Sequence, residues 1–405
     1  MQIQKIIRLL NVFFEFIHDK KNNYKITHTK GVVGMSYFQD DYPVHTRDFI
    51  EIFDLSPSTP YVLADKKKDL FGFKEIKTKS NTFYNAEAIR NYRLSKTKEN
   101  KPGEVISFYN RKGGVGKTTL IHQQAVYSVM AGYKVCIIDL DSQANITKSF
   151  KIERPKEQKT WLQIFLKECE IKDAIHEVRK NLHLIPANNR LSRLAREIDP
   201  HDGFTQFKED FDKLKEVYDK IFIDCGGVAD STVFQTLTTS DVIISPAFAD
   251  DYSEEGLELT MEELEKASKL GFNPRHIIVI NSYYQKETTA KQYKKLYLEL
   301  YEDTVARTVI RRAVDFTKAT SEQRSLFEFC YDNKIDNVLD DVRLLWHEIF
   351  NPEQFEKLLK KRAIEIEEKK AKEAKKKAKS QAKKQGDIHI PSTESNISQT
   401  EHIAQ

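Results

Sequence analysis

Sulfur is scarce in this chain of 405 residues. Its four cysteines, Cys136, Cys169, Cys225 and Cys330, stand far apart, with no CxxC pair and no histidine at ligand spacing. That excludes a disulfide framework and a zinc ribbon, and it fits structural thiols in a reducing cytosol. Long apolar runs are missing too: nothing approaches the ~18 uninterrupted residues a membrane span needs. The first 21 residues, MQIQKIIRLLNVFFEFIHDKK, are apolar but carry Lys5, Arg8, Glu15 and His18. They lack a small-residue cleavage site, so neither a signal peptide nor an anchor is expected. Net charge is small as well. With 65 Lys+Arg against 61 Asp+Glu, the formal charge is only +4, so any basic signal must be local. No internal repeat is apparent.

What is present is a core of sufficient size, 40% hydrophobic residues, in a length that favours two or three domains. Residues 1–40 hold a helix and a linker, with Ile3, Ile6, Ile7, Leu10, Phe13, Phe14 and Ile17 on one stripe suited to packing or dimerisation. Residues 41–100 form a second unit and end in the polar linker SKTKENKPGE. Residues 104–350 alternate apolar runs with helical patterns. Residues 351–405 are Lys-rich and helical at first, then polar and disordered in composition.

In the central zone, strands are expected at 104–110, 134–141, 182–187, 220–225, 241–247 and 276–283, with helices such as 118–133 and 254–271 between them. This alternation predicts an α/β fold, a mostly parallel sheet with helices on both faces, whose ligands bind at the carboxyl ends of the strands.

One such end carries NRKGGVGKTT (110–119). It is a phosphate-loop pattern between a strand and a helix, except that Arg111 stands where the first glycine of G-x-x-x-x-G-K-[ST] belongs. Gly113, Gly114, Val115 and Gly116 would turn backbone N–H groups toward phosphates, helped by the helix N-terminus. Lys117 would reach the β/γ-phosphates, Thr118 would meet Mg²⁺, and Thr119 completes the loop. Two further strand ends supply carboxylates. In IIDLDSQANIT, Asp139 and Asp141 alternate and so are expected on one face, followed by Gln143. In IFIDCGG, Asp224 closes an apolar strand as a Walker B acid.

KGGVGKTT (112–119), DLDSQANIT (139–147) and FIDCGG (222–227) together resemble the deviant Walker motifs of the ParA/MinD family, with partition ParA proteins as the branch they look most like. The resemblance covers about residues 104–350. It implies a P-loop NTPase that binds ATP/ADP with Mg²⁺ and hydrolyses ATP slowly. Lys112 matches the signature lysine that crosses to the partner protomer's nucleotide in an ATP-dependent homodimer. Lys117 and Thr118 match the loop lysine and the magnesium threonine. Asp141 matches the carboxylate that positions the attacking water, Asp139 its partner near the metal, Asp224 the Walker B acid, and Asn281 an adenine-contacting residue. DSQAN replaces the usual DPQGN, and Gly226 and Gly227 replace the usual prolines. The resemblance further implies DNA partition with a ParB-like partner, non-specific DNA binding, operon autorepression and a cytoplasmic, nucleoid-associated location. A ParA-like positioning ATPase for another cargo or the septum is the alternative. A MinD-like membrane helix is not expected, since the tail lacks large apolar anchors. Nor is an iron–sulfur reductase, since Cys225 and Cys330 lie at unsuitable places.

Outside the ATPase zone, PVHTRDFIEIFDLSPSTPYVLADKKKDLFGF (43–73) has a helix-turn-helix pattern. A first helix is expected over 46–53, with Phe49, Ile50 and Phe53 inward, and a second near Ser58, offering Ser58, Thr59, Tyr61 and Lys66–Lys68 to DNA. Residues 74–94 would add a winged hairpin and a helix. A structural or dimerising helical domain is the other possibility. Arg307, Arg311 and Arg312 sit where family members bind DNA without sequence preference, although isolated arginines on a helix are commonly solvated or salt-bridged. Between Lys360 and Gln385 the net charge is +8, which suits either a solvated helix or a weak DNA-binding tail.

Overall fold

A computed structural model of the chain describes residues 40–78, 81–97, 101–152, 157–198 and 203–386. The expected amphipathic helix at 2–17, and the segment 387–405, lie outside the described residues.

Among the described residues there are ten strands: β1 (Pro43–His45), β2 (Glu75–Lys77), β3 (Thr82–Asn85), β4 (Glu104–Phe108), β5 (Val135–Asp139), β6 (His176–Arg179), β7 (Leu182–Ile185), β8 (Lys220–Asp224), β9 (Val242–Ala247) and β10 (Arg275–Ile280). The last seven form one sheet in the order β10-β9-β4-β8-β5-β7-β6. Every pairing in it is parallel except β6–β7, which closes one edge as an antiparallel hairpin. That edge strand, HEVR, has no apolar run and was not anticipated.

Alternation along the strands divides the core between the two faces. Ile106 and Phe108, Val135 and Ile137, and Phe222 pack on the face covered by helices Lys117–Met130 and Leu339–Phe350. Val105, Cys136, Ile138, Ile221 and Ile223 point to the other face, under helices Gly203–Val217 and Ser231–Thr239. Strands buried on both faces need this near-continuous Val/Ile content.

The segment 40–97 folds as helix Thr46–Phe53, helix Thr59–Lys66, the β2–β3 hairpin and helix Ala86–Lys96, with β1 added to the hairpin. The first helix ends at Asp54, which takes a left-handed conformation at φ 53°. Its inward face differs from expectation: Phe49 is buried, but Ile50 is only partly so, and Asp48 and Glu51 are buried with it. The cause lies in the sheet domain. Arg343, 1% exposed, donates to Asp48 at 2.6 Å, and the Tyr331 hydroxyl donates to the same carboxylate. Arg47 pairs with Asp340, and Arg90 and Arg93 both pair with Asp219. The aromatic core of 40–97 is therefore continuous with that of the sheet domain. Tyr61, Val62, Lys66, Lys67 and Lys68 stay exposed.

Residues 305–313 run as an extended segment beside β10, not as a helix. Isolated bridges join Ile278 to Val305 and Tyr283 to Arg311. The alternating small and β-branched residues Ala306, Thr308 and Ile310 are buried, which suits this extended course. After Leu339–Phe350 the last of the described residues form one long helix, Pro352–Gly386.

Candidate functional site

Sheet order brings the three motifs together. β8 lies between β4 and β5, so the loop after β4 faces the acids that end β8 and β5, and Asp139 is in register with Asp224. A cavity of about 510 Å³ opens there, lined by Gly113, Gly114, Gly116, Lys117, Thr118, Thr119 and Asp141 among others.

The loop turns through glycine conformations: φ is 76° at Gly114 and 94° at Gly116, in the left-handed region that disfavours side chains. At Gly116 a Cβ would also lie 2.2 Å from the amide nitrogen of Asn281. Lys117 is the first residue of the following helix, and its Nζ donates to the carbonyls of Asn110 (3.0 Å) and Lys112 (3.1 Å). Burial lowers the Lys117 pKa, opposed by the charge of Asp224. The ammonium is thus ready to exchange two carbonyls for phosphate oxygens.

Thr118 Oγ1 donates to Asp224 Oδ2 at 2.7 Å, while Asp224 Oδ1 is buried with no hydrogen-bond partner among the described residues. Burial, then the neighbouring Asp139, pushes the Asp224 pKa up. The hydroxyl of Thr118, which lines the cavity, and the buried carboxylate of Asp224 behind it fit a magnesium shell of water and phosphate oxygens. Among the described residues no cluster of three or more His, Cys, Asp or Glu could hold a metal alone.

Asp139 departs from expectation. The strand stops at Asp139, so Asp141 lies in the turn beyond it and the two acids do not share a strand face. Asp139 accepts from the Asp141 amide at 3.1 Å and from the amide (3.1 Å) and hydroxyl (2.6 Å) of Thr147. Burial pushes its pKa up to about 7, against these hydrogen bonds. All three contacts tie down the DSQAN turn, in which Ala144 is left-handed at φ 54°. Asp139 braces that turn, and of the two acids only Asp141 lines the cavity. Thr147 was missed. Its hydroxyl also accepts from the Ala187 amide at 2.9 Å, joining the turn to the end of β7.

The two unusual cations have different surroundings. Arg111 pairs with Glu263 at 3.3 Å on helix Asp251–Lys269. Lys112 is half-buried, and its ammonium sits 4.4 Å from the centre of the Tyr252 ring. Lys112 is not among the residues lining the cavity of its own loop. The helix clamps the loop along one face: a Cβ on Gly256 would meet Asn110 Oδ1 and Lys112 Cβ, each at 2.8 Å, and Thr260 Oγ1 accepts from the Arg111 amide at 3.3 Å. Gly256, Thr260 and Glu263 were not singled out from the sequence. Their i, i+4, i+7 spacing in an expected helix was the available signal.

Asn281 lies just past β10, and its amide donates to the Val115 carbonyl at 2.7 Å, bracing the loop directly. Gly227 lies above the loop, where a Cβ would come within 3.2 Å of the Arg111 carbonyl. Away from the cavity, Arg307 pairs with Glu356, and Arg311 pairs with Asp341 at 2.7 Å. The Arg312 side chain is exposed, as is Ser58, and Thr59 is partly exposed.

Comparison with known proteins agrees with this geometry. Residues 103–277 match a family model described as an AAA domain. The chain is 30% identical over 226 residues to the cell division protein PomZ of Myxococcus xanthus, covering 54% of this chain and 70% of that one. It is 27% identical over 229 residues to the chromosome partitioning protein ParA of Caulobacter vibrioides, covering 54% and 85%. The chain belongs to the ParA/MinD family of P-loop ATPases. In fold this ATPase is similar to apo McdA of Cyanothece, with a TM-score of 0.54 at 21% identity, over 59% of this chain and 98% of that one. As a family member it hydrolyses ATP, and the site described above is where the motifs of that reaction converge. No helix among the described residues is long and apolar enough to cross a membrane.

Proposed function

We propose that this ParA/MinD-family ATPase is a DNA-partition switch, whose ATP-bound form is a homodimer that binds DNA and is reset by hydrolysis. The observation that carries the reading is the division of labour between two lysines. Lys117 serves its own loop, while Lys112 is held on Tyr252 outside the cavity that loop encloses. A cation so placed is available to a second protomer's nucleotide. Phosphoryl transfer depends on neutralising charge at the γ-phosphate, so a lysine supplied in trans makes hydrolysis conditional on dimerisation.

Within each protomer, the glycine loop and Lys117 hold the β- and γ-phosphates. Thr118 and Asp224 would hold Mg²⁺ through a hydroxyl and ordered water, and bound Mg²⁺ would screen phosphate charge. Asp141 orients the attacking water, with Asp139 and Thr147 fixing the turn that carries it. Asn281 braces the loop where the nucleotide enters. Hydrolysis removes the γ-phosphate that Lys112 bridges, and the dimer separates. A ParB-like protein bound at a centromere would accelerate that step. The segment 40–97 would read an operator through helix Thr59–Lys66, whose outer residues are exposed, and repress its own operon.

The relative PomZ, a cell division protein, supports a second reading in which the same switch positions the septum or another cargo. DNA binding by the full chain with ATP, ADP or no nucleotide, on random and upstream-operon duplexes, separates the two. ATP-dependent binding to random DNA is expected; its absence rejects partition. An upstream footprint with ADP or without nucleotide is expected from 40–97; its absence rejects the reader role.

A further inference from the structure

Two of the three arginines expected to meet DNA phosphates, Arg307 and Arg311, are already engaged. Arg307 pairs with Glu356, and its amide donates to Glu348 at 2.6 Å; Arg311 donates to Asp341 and to the Asn337 carbonyl at 2.9 Å. A phosphate arriving there would have to displace carboxylates carried by the protein's own C-terminal helices. A longer run of positive charge lies elsewhere in the sequence.

Helix Pro352–Gly386 begins as part of the fold. Phe355 and Leu358 are buried, Gln354 Nε2 donates to the Glu51 carbonyl at 2.8 Å, and Lys357 pairs with Asp54. Its last anchor is Arg362, 3.7 Å from Asp340. Beyond it Ile364 and Ile366 are exposed, and the backbone remains helical to Gly386. At 1.5 Å per residue, the stretch after Arg362 reaches about 36 Å, close to one turn of B-DNA. Charge is graded along it. The four glutamates of the segment are Glu365, Glu367, Glu368 and Glu373, whereas 374–386 contains six lysines and no acidic residue. The helix lacks a continuous apolar stripe, which argues against a coiled-coil partner or membrane insertion.

We propose that the helix beyond Arg362 is an arm that binds the phosphate backbone of duplex DNA, independently of nucleotide. A rod about one DNA turn long, whose last thirteen residues carry six lysines and no acidic residue, matches a duplex better than a compact acidic protein. It supplies attraction without sequence preference. In an ATP-bound dimer two such arms would act on one duplex, so dimerisation would raise affinity by avidity without a new contact. The arm itself needs no dimer, so it stands or falls separately from the partition reading.

The test uses the full-length chain with ADP and Mg²⁺ on a random duplex of about 30 bp, with affinity followed by anisotropy across a salt series. In the variant, Lys375, Lys376, Lys377, Lys379, Lys383 and Lys384 are each replaced by glutamine. Each lysine that meets a phosphate contributes roughly 0.9 to the slope of log K against log salt. The variant slope is therefore expected to be shallower by about 3 to 5, with at least tenfold weaker binding at low salt. A sextuple lysine-to-arginine variant should keep the parent slope. A slope that changes by less than about 1 on glutamine substitution overturns the proposal. So does charge-dependent binding to phosphatidylglycerol vesicles without charge-dependent binding to the duplex. Loss of only the ATP-dependent gain would count against partition and leave the ADP-state slope, and hence the arm, supported.

Discussion

Gly256→Ala is the sharpest perturbation of the clamp between helix Asp251–Lys269 and the phosphate loop. The added Cβ would lie 2.8 Å from Asn110 Oδ1, 2.8 Å from Lys112 Cβ and 3.2 Å from the Lys112 amide nitrogen. Two of these atoms are fixed to the loop backbone, and the third accepts from the Lys112 amide at 2.8 Å. No rotamer change relieves all three contacts, so helix and loop must move apart by several tenths of an ångström. Overpacking of this kind costs about 1–3 kcal/mol. If the loop must return to its present course to hold phosphates, that cost appears in binding, at tenfold per 1.4 kcal/mol. ATP affinity should then fall by roughly 5- to 150-fold. Titration of a fluorescent ATP analogue with Mg²⁺, paired with a thermal melt, measures both effects. Affinity within twofold of the parent at unchanged Tm would show that the loop does not depend on this clamp.

Other consequences follow from single groups. Asp141→Ala removes the cavity-lining acid that orients water; hydrolysis should fall by about 10²-fold or more while ATP binding holds, and parallel losses of binding and rate in stopped-flow assays would refute that role. Asp48→Ala leaves Arg343 buried without its closest carboxylate, which costs about 3–5 kcal/mol. The melting temperature should drop by about 4–6 °C, partly restored by adding Arg343→Met, and a drop below about 2 °C would contradict the buried pairing. His347 is buried with both ring nitrogens unpartnered, and burial lowers its pKa to about 3. It stays neutral in the fold while the unfolded chain takes up a proton below about pH 6.5, so its contribution to stability falls as pH drops from there toward 3. His347→Leu should gain on the parent by up to about 1.4 kcal/mol per pH unit in that window, and parallel stability–pH curves would reject the assignment.

How far the sequence spoke depended on whether a signal was local. The glycine loop between β4 and its helix, the acid that ends β8 and six of the sheet strands were legible, because strand–glycine–helix transitions and runs of Val and Ile are set over a few residues. The edge strand β6 was not, since HEVR owes its conformation to pairing with β7. Asp139 was misassigned for a similar reason. A two-residue spacing places two acids on one strand face only if the strand continues, and here it ends at Asp139 and the carboxylate turns to Thr147. Residues 305–313 are extended because β10 offers an edge, which no helical periodicity reveals. The buried Asp48 likewise reflects Arg343, which tertiary packing brings from nearly 300 residues away, whereas Glu51 is paired within its own helix with Arg47.

The trans role of Lys112 is the centre of the account, and the mass of the chain in solution tests it most directly. Light scattering on the full-length parent and on Lys112→Ala, each with ADP or with a slowly hydrolysed ATP analogue, separates nucleotide binding from assembly. The parent should move from monomer to dimer with the ATP analogue alone, while Lys112→Ala stays monomeric though it still binds nucleotide. An ATP-dependent dimer that forms equally well without Lys112 would contradict the account.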